Sequence, residues 1–287
     1  MLKIGIVGAE NSHAVQVAKL CNVEKRADAR VEMVWGEKDE FAEKTAADAH
    51  IPVIVKDWRE MLGKVDGVMI DHRHAKYHFE PAKFFLSNRV PTFVDKPFTF
   101  TLAEGKKLFA IARRTKTPVT SFSSIPLQQN FSDFKTAAAN VGPVYSLTTA
   151  GPVDIKSQWG GVFFYAVHQV DAIVALLGGG AGTVQVLRHG ENAIAFLTYP
   201  KGPMVTMNCI KNGPYSFHWS ALGDKGVVDW THRDDPDALL KGLQTFLKMF
   251  TTKEQPFDAK RILAPIAVLE AMAKSLKTGK PVKVAKV

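Results

Sequence analysis

The sequence predicts two α/β-type domains: an N-terminal doubly wound parallel sheet, then an α+β domain with an open antiparallel sheet. In residues 1–122, short β-branched runs alternate with stretches of helical apolar spacing, a pattern typical of a parallel sheet covered on both faces. After Phe122, strands follow one another over short connections, which favours antiparallel pairing. The length of 287 residues agrees with two domains, 1–122 and 123–287.

The N-terminal domain is predicted as strand and helix in turn. Its predicted strands are Lys3–Val7, Val31–Trp35, Pro52–Val55, Gly67–Ile70, Thr92–Val94 and Val119–Ser121. Helical spacing predicts the intervening helices Ser12–Arg26, Phe41–Ala49, Lys76–Asn88 and Leu102–Arg114.

The C-terminal domain begins with a helix, a strand and a long helix, predicted at Leu127–Ala139, Val144–Ala150 and Val162–Leu177. Strands are then predicted at Thr183–Arg188, Ala193–Tyr199, Met204–Ile210, Phe217–Leu222 and Val227–Trp230, with a hairpin turn at 223–226. Two helices follow, Ala238–Phe250 and Ala259–Leu276, and the second ends before a Gly–Pro stop.

Composition argues against several classes of protein. With 46% hydrophobic and 23% charged residues, the chain is typical of globular rather than disordered proteins. The most apolar stretch, Val162 to Leu177, contains His168, Gln169 and Asp171, which argues against a membrane span. The net charge of +9 is concentrated partly in lysines between 274 and 286, without interleaved aromatic residues. We therefore expect neither a nucleic-acid nor a membrane partner.

The two cysteines indicate a reducing compartment. Cys21 and Cys209 lie far apart and form no C-x-x-C pair, which favours two isolated core thiols over one disulfide. The first residues predict a strand and a turn rather than a signal peptide. We expect a cytoplasmic protein.

The first strand ends in a turn that opens directly into a helix. In a Rossmann fold, this turn and the helix N-terminus hold the pyrophosphate of a dinucleotide. Gly8 fills the first position of the G-x-G-x-x-G pattern, whereas Glu10 and His13 replace the second and third glycines. The predicted pyrophosphate turn comprises Gly8, Ala9, Glu10, Asn11, Ser12 and His13.

The adenosine ribose of such a cofactor is expected at the end of the second strand. Glu37 follows that strand and is the candidate acid for the ribose hydroxyls. The adjacent Lys38 is able to accommodate a 2′-phosphate, so NAD and NADP both remain open.

Two further motifs carry a resemblance to a known family. Asp95-Lys96-Pro97 follows a predicted strand and precedes the helix start Thr101-Leu102-Ala103-Glu104. In the other domain, Gly160-Gly161 precedes a helix with His168-Gln169-Val170-Asp171, and Gly-Lys-Pro-Val-Lys-Val ends the pattern at 279–284. Together they resemble the glucose–fructose oxidoreductase / inositol dehydrogenase (Gfo/Idh/MocA) family, with its Glu-Lys-Pro and Gly-Gly…His-x-x-Asp motifs.

The resemblance implies a catalytic pair and a cofactor, with the active site between the domains. A lysine ammonium stabilises a developing alkoxide, and an imidazole exchanges a hydroxyl proton near neutral pH. The resemblance assigns these roles to Lys96 and His168. His72 and Arg73 are expected to line the nicotinamide side of the cleft, and Asp95 and Lys96 are further candidates to bind the cofactor.

The sequence departs from the family at one catalytic position. Four residues before the histidine, many members carry an aspartate, whereas this chain has Phe164. Tyr165 is the candidate to offer a hydroxyl instead. His74 and His78 have the i,i+4 spacing of metal ligands, but no further ligand completes a set, so we expect no metal.

The resemblance implies an NAD(P)-dependent oxidoreductase that transfers hydride to or from a hydroxyl or carbonyl group of a sugar, polyol or related small polar molecule. Two alternatives stay open: a sensor or scaffold that binds nucleotide or sugar without hydride transfer, and NAD-assisted elimination at a glycosidic bond. An open sheet face also predicts a homo-oligomer.

Overall fold

The computed structural model describes residues 1–233 and 235–287. They form two compact units: Met1–Phe122 with Asp237–Ala259, and Ser123–Pro236 with Lys260–Val287. Each unit contains its own sheet. Among the described helices, none combines the length and the hydropathy that a bilayer crossing requires.

The first unit contains the predicted doubly wound sheet. Its strand order is β3-β2-β1-β4-β5-β6 with parallel pairing throughout the described registers, which confirms the Rossmann prediction. The strands are β1 (Leu2–Val7), β2 (Ala29–Trp35), β3 (Val53–Ile54), β4 (Gly67–Ile70), β5 (Thr92–Val94) and β6 (Val119–Thr120). The connecting helices are α1 (Ser12–Asn22), α2 (Asp39–Ala49), α3 (Phe79–Ser87) and α4 (Leu102–Thr115).

The second unit contains a larger, mixed sheet in the order β12-β11-β7-β10-β9-β8-β13. Its strands are β7 (Val144–Pro152), β8 (Thr183–His189), β9 (Asn192–Thr198), β10 (Met204–Ile210), β11 (His218–Gly223), β12 (Gly226–Thr231) and β13 (Val282–Lys283). Its helices are α5 (Gln129–Asn140), α6 (Val162–Leu177) and most of α8 (Ala259–Thr278).

The pairing of β7 with β10 refines the prediction of an antiparallel sheet. These two strands are parallel, whereas the other described pairs of this sheet are antiparallel. The chain crosses back through α6 before the β8–β9–β10 meander, so β10 runs in the direction of β7. One face of the sheet is buried against helices; for example, Trp219 of β11 lies edge-on to Phe131 of α5.

Residues 237–259 cluster with the first unit, although they follow residues 123–236 of the second unit in the chain. This segment includes α7 (Ala238–Thr252) and belongs to the first unit. Phe246 of α7 stacks on Phe93 of β5 at 4.5 Å between ring centroids. Phe250 lies over Gly67 of β4. The apolar face of α7 therefore completes the core of the first unit, whose other residues lie more than a hundred positions earlier in the chain.

Local side-chain hydrogen bonds move several predicted helix ends. The predicted helix 76–88 begins as a 3-10 turn at Ala75–Tyr77, because the His74 ring accepts a hydrogen bond from the Lys76 amide. The helix predicted to reach Arg26 ends at Asn22, whose amide side chain bonds both backbone groups of Val31 on β2.

The close approach of Gly67 to Phe250 generates a stability prediction. A Cβ on Gly67 would lie 2.4 Å from the Phe250 ring, so we expect Gly67→Ala to lower the free energy of unfolding by about 1–3 kcal/mol. Urea denaturation followed by tryptophan fluorescence measures this change. Adding Phe250→Leu to Gly67→Ala should recover part of the loss. The surface change Lys248→Ala on the same helix is the control, and unaltered stability of Gly67→Ala would contradict the prediction.

Candidate active site

The turn after β1 is shaped for a close backbone approach. Gly8 has a φ of +108°, and a Cβ at this position would lie 2.7 Å from the backbone nitrogen of His72. Both facts require glycine here. Asn11 occupies the cap position of α1 but makes no side-chain capping bond to the helix. The helix N-terminus is therefore left without its side-chain cap, as an anion-binding turn requires.

Glu37 lies against this turn. Its Oε2 accepts hydrogen bonds from the amides of Ala9 at 3.0 Å and Glu10 at 3.1 Å, while its buried Oε1 has no partner among the described residues. A carboxylate oxygen in this setting suits a ribose hydroxyl donor. Burial and the neighbouring Glu37 raise the pKa of Glu10.

Two buried carboxylates lie at the carboxyl ends of β4 and β5. The Asn11 side-chain amide donates to Asp71 Oδ1 at 3.1 Å and to Asp95 Oδ2 at 3.2 Å. His13 Nδ1 lies 3.2 Å from Asp95 Oδ1, and Lys96 Nζ lies 3.6 Å from Asp95 Oδ2. One asparagine thus connects the turn to the strand that ends in the predicted catalytic lysine.

The pKa values of the two carboxyl groups are shifted in opposite directions. Burial, together with the charge of Asp95, raises the pKa of Asp71 well above its usual value. Burial would also raise the pKa of Asp95, but Lys96 and His13 overcome it and hold that pKa below its usual range. Of the two, Asp71 therefore holds a proton more readily and Asp95 ionises more readily.

His13, Asp71 and Asp95 bring possible metal-ligand atoms within 4.8 Å of one another. The Lys96 ammonium already compensates Asp95, and the Asn11 amide bonds both carboxylates. The described side chains therefore supply the positive charge and the donors that this cluster needs.

The histidines after β4 have separate structural roles. His78 is fully buried, and its ring nitrogens lie 2.8 Å from the His72 carbonyl and 2.9 Å from the Pro97 carbonyl. It thus links the segment after β4 to the segment after Lys96. Burial lowers the pKa of His72 to about 3 and of His74 to about 4, so both are neutral near pH 7. His74 and His78 form no shared ligand pair, because each ring nitrogen described here serves a backbone group.

In the second unit, His168 is held by a hydrogen-bond chain that the sequence analysis did not anticipate. Its Nδ1 lies 2.8 Å from Ser123 Oγ. The Ser123 amide donates to Asp171 Oδ2 at 3.1 Å, and Asp171 Oδ1 is paired with Arg261. His168, Asp171 and Ser123 are all buried. Asp171 therefore anchors the residue that contacts the histidine.

Helix α6 is tied to the sheet beneath it by Gln169. This buried side chain accepts from Thr149 Oγ1 at 2.7 Å and donates to the Asn208 carbonyl at 3.3 Å. The Tyr165 ring lies 5.8 Å from the His168 ring, and the half-buried Phe164 packs edge-on against Tyr165 at 4.7 Å. The family's aspartate position is thus part of an aromatic cluster.

The sequence analysis missed three residues of this arrangement: Ser123, Asp71 and Gln169. Asp71 could have been found from the sequence, because it is a charged residue that directly follows the fully apolar strand β4. Ser123 carries none, because its partner His168 is 45 residues away in the chain.

The raised pKa of Asp71 predicts a pH-dependent effect of Asp71→Asn. The unfolded chain releases this proton above about pH 4 while the folded protein retains it, so the wild type loses stability as pH rises toward the folded pKa. The substituted amide retains an oxygen that accepts from Asn11 and does not ionise. The variant should therefore gain stability over the wild type between pH 4 and 8, by about 1.4 kcal/mol per unit of pKa difference.

Urea denaturation at several pH values measures this difference. The exposed substitution Asp28→Asn serves as the control and should show no such rise. An Asp71→Asn advantage that is independent of pH would show that Asp71 is ionised in the folded protein.

Comparisons with known proteins bear on both units. Residues 2–122 match the family model of Gfo/Idh/MocA oxidoreductases, described as an oxidoreductase family with an NAD-binding Rossmann fold. The uncharacterized oxidoreductase YhhX of Escherichia coli K12 is 32% identical over 115 residues, which are 37% of this chain and 33% of that protein. The chain thus aligns with about a third of the length of this curated relative.

Solved structures resemble the whole chain. Myo-inositol dehydrogenase from Lactobacillus casei, in complex with NAD(H) and myo-inositol, has a TM-score of 0.87 at 16% identity, covering 100% of this chain and 98% of that one. Scyllo-inositol dehydrogenase from the same organism, with NAD(H) and scyllo-inositol, has a TM-score of 0.85 at 14% identity, covering 100% of both chains. These likenesses show the fold. Residues 2–122 are thus similar to the NAD-binding Rossmann domain of the Gfo/Idh/MocA oxidoreductases.

Proposed function

We propose that this protein is an NAD-dependent oxidoreductase that transfers hydride to or from a hydroxyl or carbonyl carbon of a sugar, polyol or related small polar molecule. The observation that carries the proposal is the connected set in the first unit. The Gly8 turn, the Glu37 carboxylate and Lys96 beside ionised Asp95 lie at the carboxyl edge of one parallel sheet. The inositols bound by its structural relatives suggest the substrate class.

The cofactor would be held by residues of this turn and by those after the neighbouring strands. The Gly8–His13 turn would hold the pyrophosphate through the amides of Asn11, Ser12 and His13, because those of Gly8, Ala9 and Glu10 already bond Trp35 and Glu37. Glu37 would bind the adenosine ribose. His72, Arg73 and Asp95 would line the nicotinamide side. When bound, the nicotinamide supplies the hydride acceptor or donor.

The setting of Glu37 favours NAD over NADP. A 2′-phosphate would meet the negative charge of this carboxylate. Lys38, the residue that could offset that charge, lies 3.4 Å from Glu40 on the surface.

The proposed catalytic residues divide the work on the substrate oxygen. Lys96 would stabilise the developing alkoxide and donate a hydrogen bond to it. His168 would act as the acid/base at that oxygen, with Tyr165 as a neighbouring hydroxyl. Asp95 would orient the Lys96 ammonium from 3.6 Å.

Phe164 supports a second candidate function. Because it replaces the family's aspartate and packs against Tyr165, the chain would bind nucleotide or sugar as a sensor or scaffold without hydride transfer. NAD-assisted elimination at a glycosidic bond is the remaining alternative.

Two measurements separate these functions. Thermal shift with NAD and with NADP tests binding, and absorbance of the reduced nicotinamide tests turnover of myo-inositol, scyllo-inositol and common aldoses. Stabilisation by NAD with turnover supports the oxidoreductase. Binding without turnover in either direction supports the sensor, and no stabilisation by either cofactor at millimolar concentration overturns every cofactor-dependent function.

Lys96→Met tests the central role. We expect kcat to fall by about 10²–10³-fold because a donor to the developing oxyanion is lost, while the Kd for NAD changes far less. Steady-state kinetics and NAD titration measure the two effects, with the surface substitution Lys64→Met as the control. A variant that turns over at the wild-type rate would remove Lys96 from the mechanism.

We also propose a homo-oligomer formed through the open face of the second sheet, in a cytoplasmic protein. Large apolar side chains remain exposed on that face in several strands: Leu187 of β8, Phe196 of β9, Met204 of β10, Leu222 of β11 and Val227 of β12. A face of this kind suits a self-complementary interface. The two buried free thiols, Cys21 and Cys209, suit a reducing compartment.

Phe196→Glu tests the oligomer. A charge in the middle of the proposed interface should shift the protein toward monomer, since burying it without a partner is costly. Light scattering coupled to size-exclusion chromatography measures the mass. Val23→Glu, at an exposed position of α1's C-cap, should leave the mass unchanged. A wild-type protein that is monomeric at micromolar concentration would refute the proposal.

A further inference from the structure

The imidazole of His168 is fixed through a serine that is itself immobilised. Ser123 is 1% exposed, and its Oγ lies 2.8 Å from His168 Nδ1. The Ser123 amide is bonded to Asp171, whose carboxylate is also paired with Arg261. The position of the hydroxyl is therefore set by the backbone and by a buried ion pair.

The hydroxyl of Ser123 has a second contact that limits what it can do. The Ile125 amide donates to Oγ at 3.3 Å. A serine hydroxyl has one proton and two acceptor lone pairs, so this contact leaves one lone pair and the proton for His168.

Two arrangements of the Ser123–His168 contact are then possible. In one, the Ser123 hydroxyl donates to Nδ1; in the other, an Nδ1–H group donates to Oγ. Among the described residues, the Ser123 hydroxyl proton has no acceptor other than Nδ1. The second arrangement would therefore bury a hydroxyl proton without a partner, which is unfavourable.

We infer that Ser123 donates its hydroxyl proton to Nδ1 and holds neutral His168 with its own proton on Nε2. Ser123 is thus a positioning residue that selects the histidine tautomer. What this tautomer means for the reaction rests on the function proposed above. In its resting neutral form, His168 meets the substrate oxygen as a hydrogen-bond donor, a state suited to a carbonyl oxygen. To accept a proton at Nε2, the ring must first carry its own proton on Nδ1 instead. The hydrogen bond that the Ser123 hydroxyl donates to Nδ1 opposes this change.

The tautomer can be observed directly by two-bond ¹H–¹⁵N correlation spectra of ¹⁵N-labelled protein at pH 8.5. The His168 signal is assigned by its loss in His168→Gln. We expect the Nε2–H pattern in the wild type, and a rise of about tenfold in the share of the Nδ1–H form in Ser123→Ala. Ser123→Asp should invert the preference, because a carboxylate only accepts and would bond Nδ1–H.

Matched variants separate this effect from a general disturbance. Ser123→Thr retains a hydroxyl and should keep the wild-type pattern, as should Ser124→Ala next to it. An Nδ1–H pattern in the wild type, or an unchanged pattern in Ser123→Ala, would overturn the inference. The spectra need neither cofactor nor substrate, so their result is independent of whether the protein turns over a polyol.

Discussion

The hydrogen bonds that Asn11 donates to Asp71 and Asp95 constrain most of the site in the first unit. Two carboxylates buried this close together cannot both be ionised without a large desolvation and repulsion cost. Burial and the charge of Asp95 raise the pKa of Asp71, whereas Lys96 and His13 lower the pKa of Asp95 against the effect of burial. The asparagine that joins them stands at the start of α1, so the ends of β1, β4 and β5 are held in one network.

This network also explains how a turn with one glycine can serve where three are usual. Gly8 is at the point where the backbone of the next strand approaches, and no other residue fits there. At the second glycine position, the backbone amide of Glu10 donates a hydrogen bond to the Glu37 carboxylate. Asn11 gives its side chain to the carboxylates rather than to the helix, which leaves the helix end open. At this turn, a side-chain carboxylate from the end of the second strand therefore takes up the amides of Ala9 and Glu10.

The predictable part of the molecule is the part governed by local periodicity. The alternation of β-branched runs and amphipathic helices predicts the strands β1 to β6 along the chain. Thr101 and Glu104 mark the start of α4, where the structure shows a capping box. The location of α7 was not predictable, because the same apolar face could cover either sheet. The contacts of Phe246 with Phe93 and of Phe250 with Gly67 place it in the first unit. The short strand β13 was missed for a similar reason: its pairing with β8 joins residues about a hundred positions apart.

The site shows the same division between local and distant information. Lys96 and His168 could be found from short motifs, yet their partners lie across the fold. For His168, the sequence indicates a lost carboxylate at Phe164 and predicts the Tyr165 hydroxyl as its replacement. In the structure, the His168 ring contacts the Ser123 hydroxyl. A hydroxyl differs from a carboxylate in kind as a partner for the ring, because it is able to donate a hydrogen bond. A carboxylate favours the doubly protonated ring, whereas a hydroxyl that donates to Nδ1 favours the neutral one. Asp171 is paired with Arg261 and accepts a hydrogen bond from the Ser123 amide. The exchange of aspartate for phenylalanine at position 164 is therefore accompanied by a hydroxyl partner for the His168 ring, and that hydroxyl comes from Ser123 at 2.8 Å.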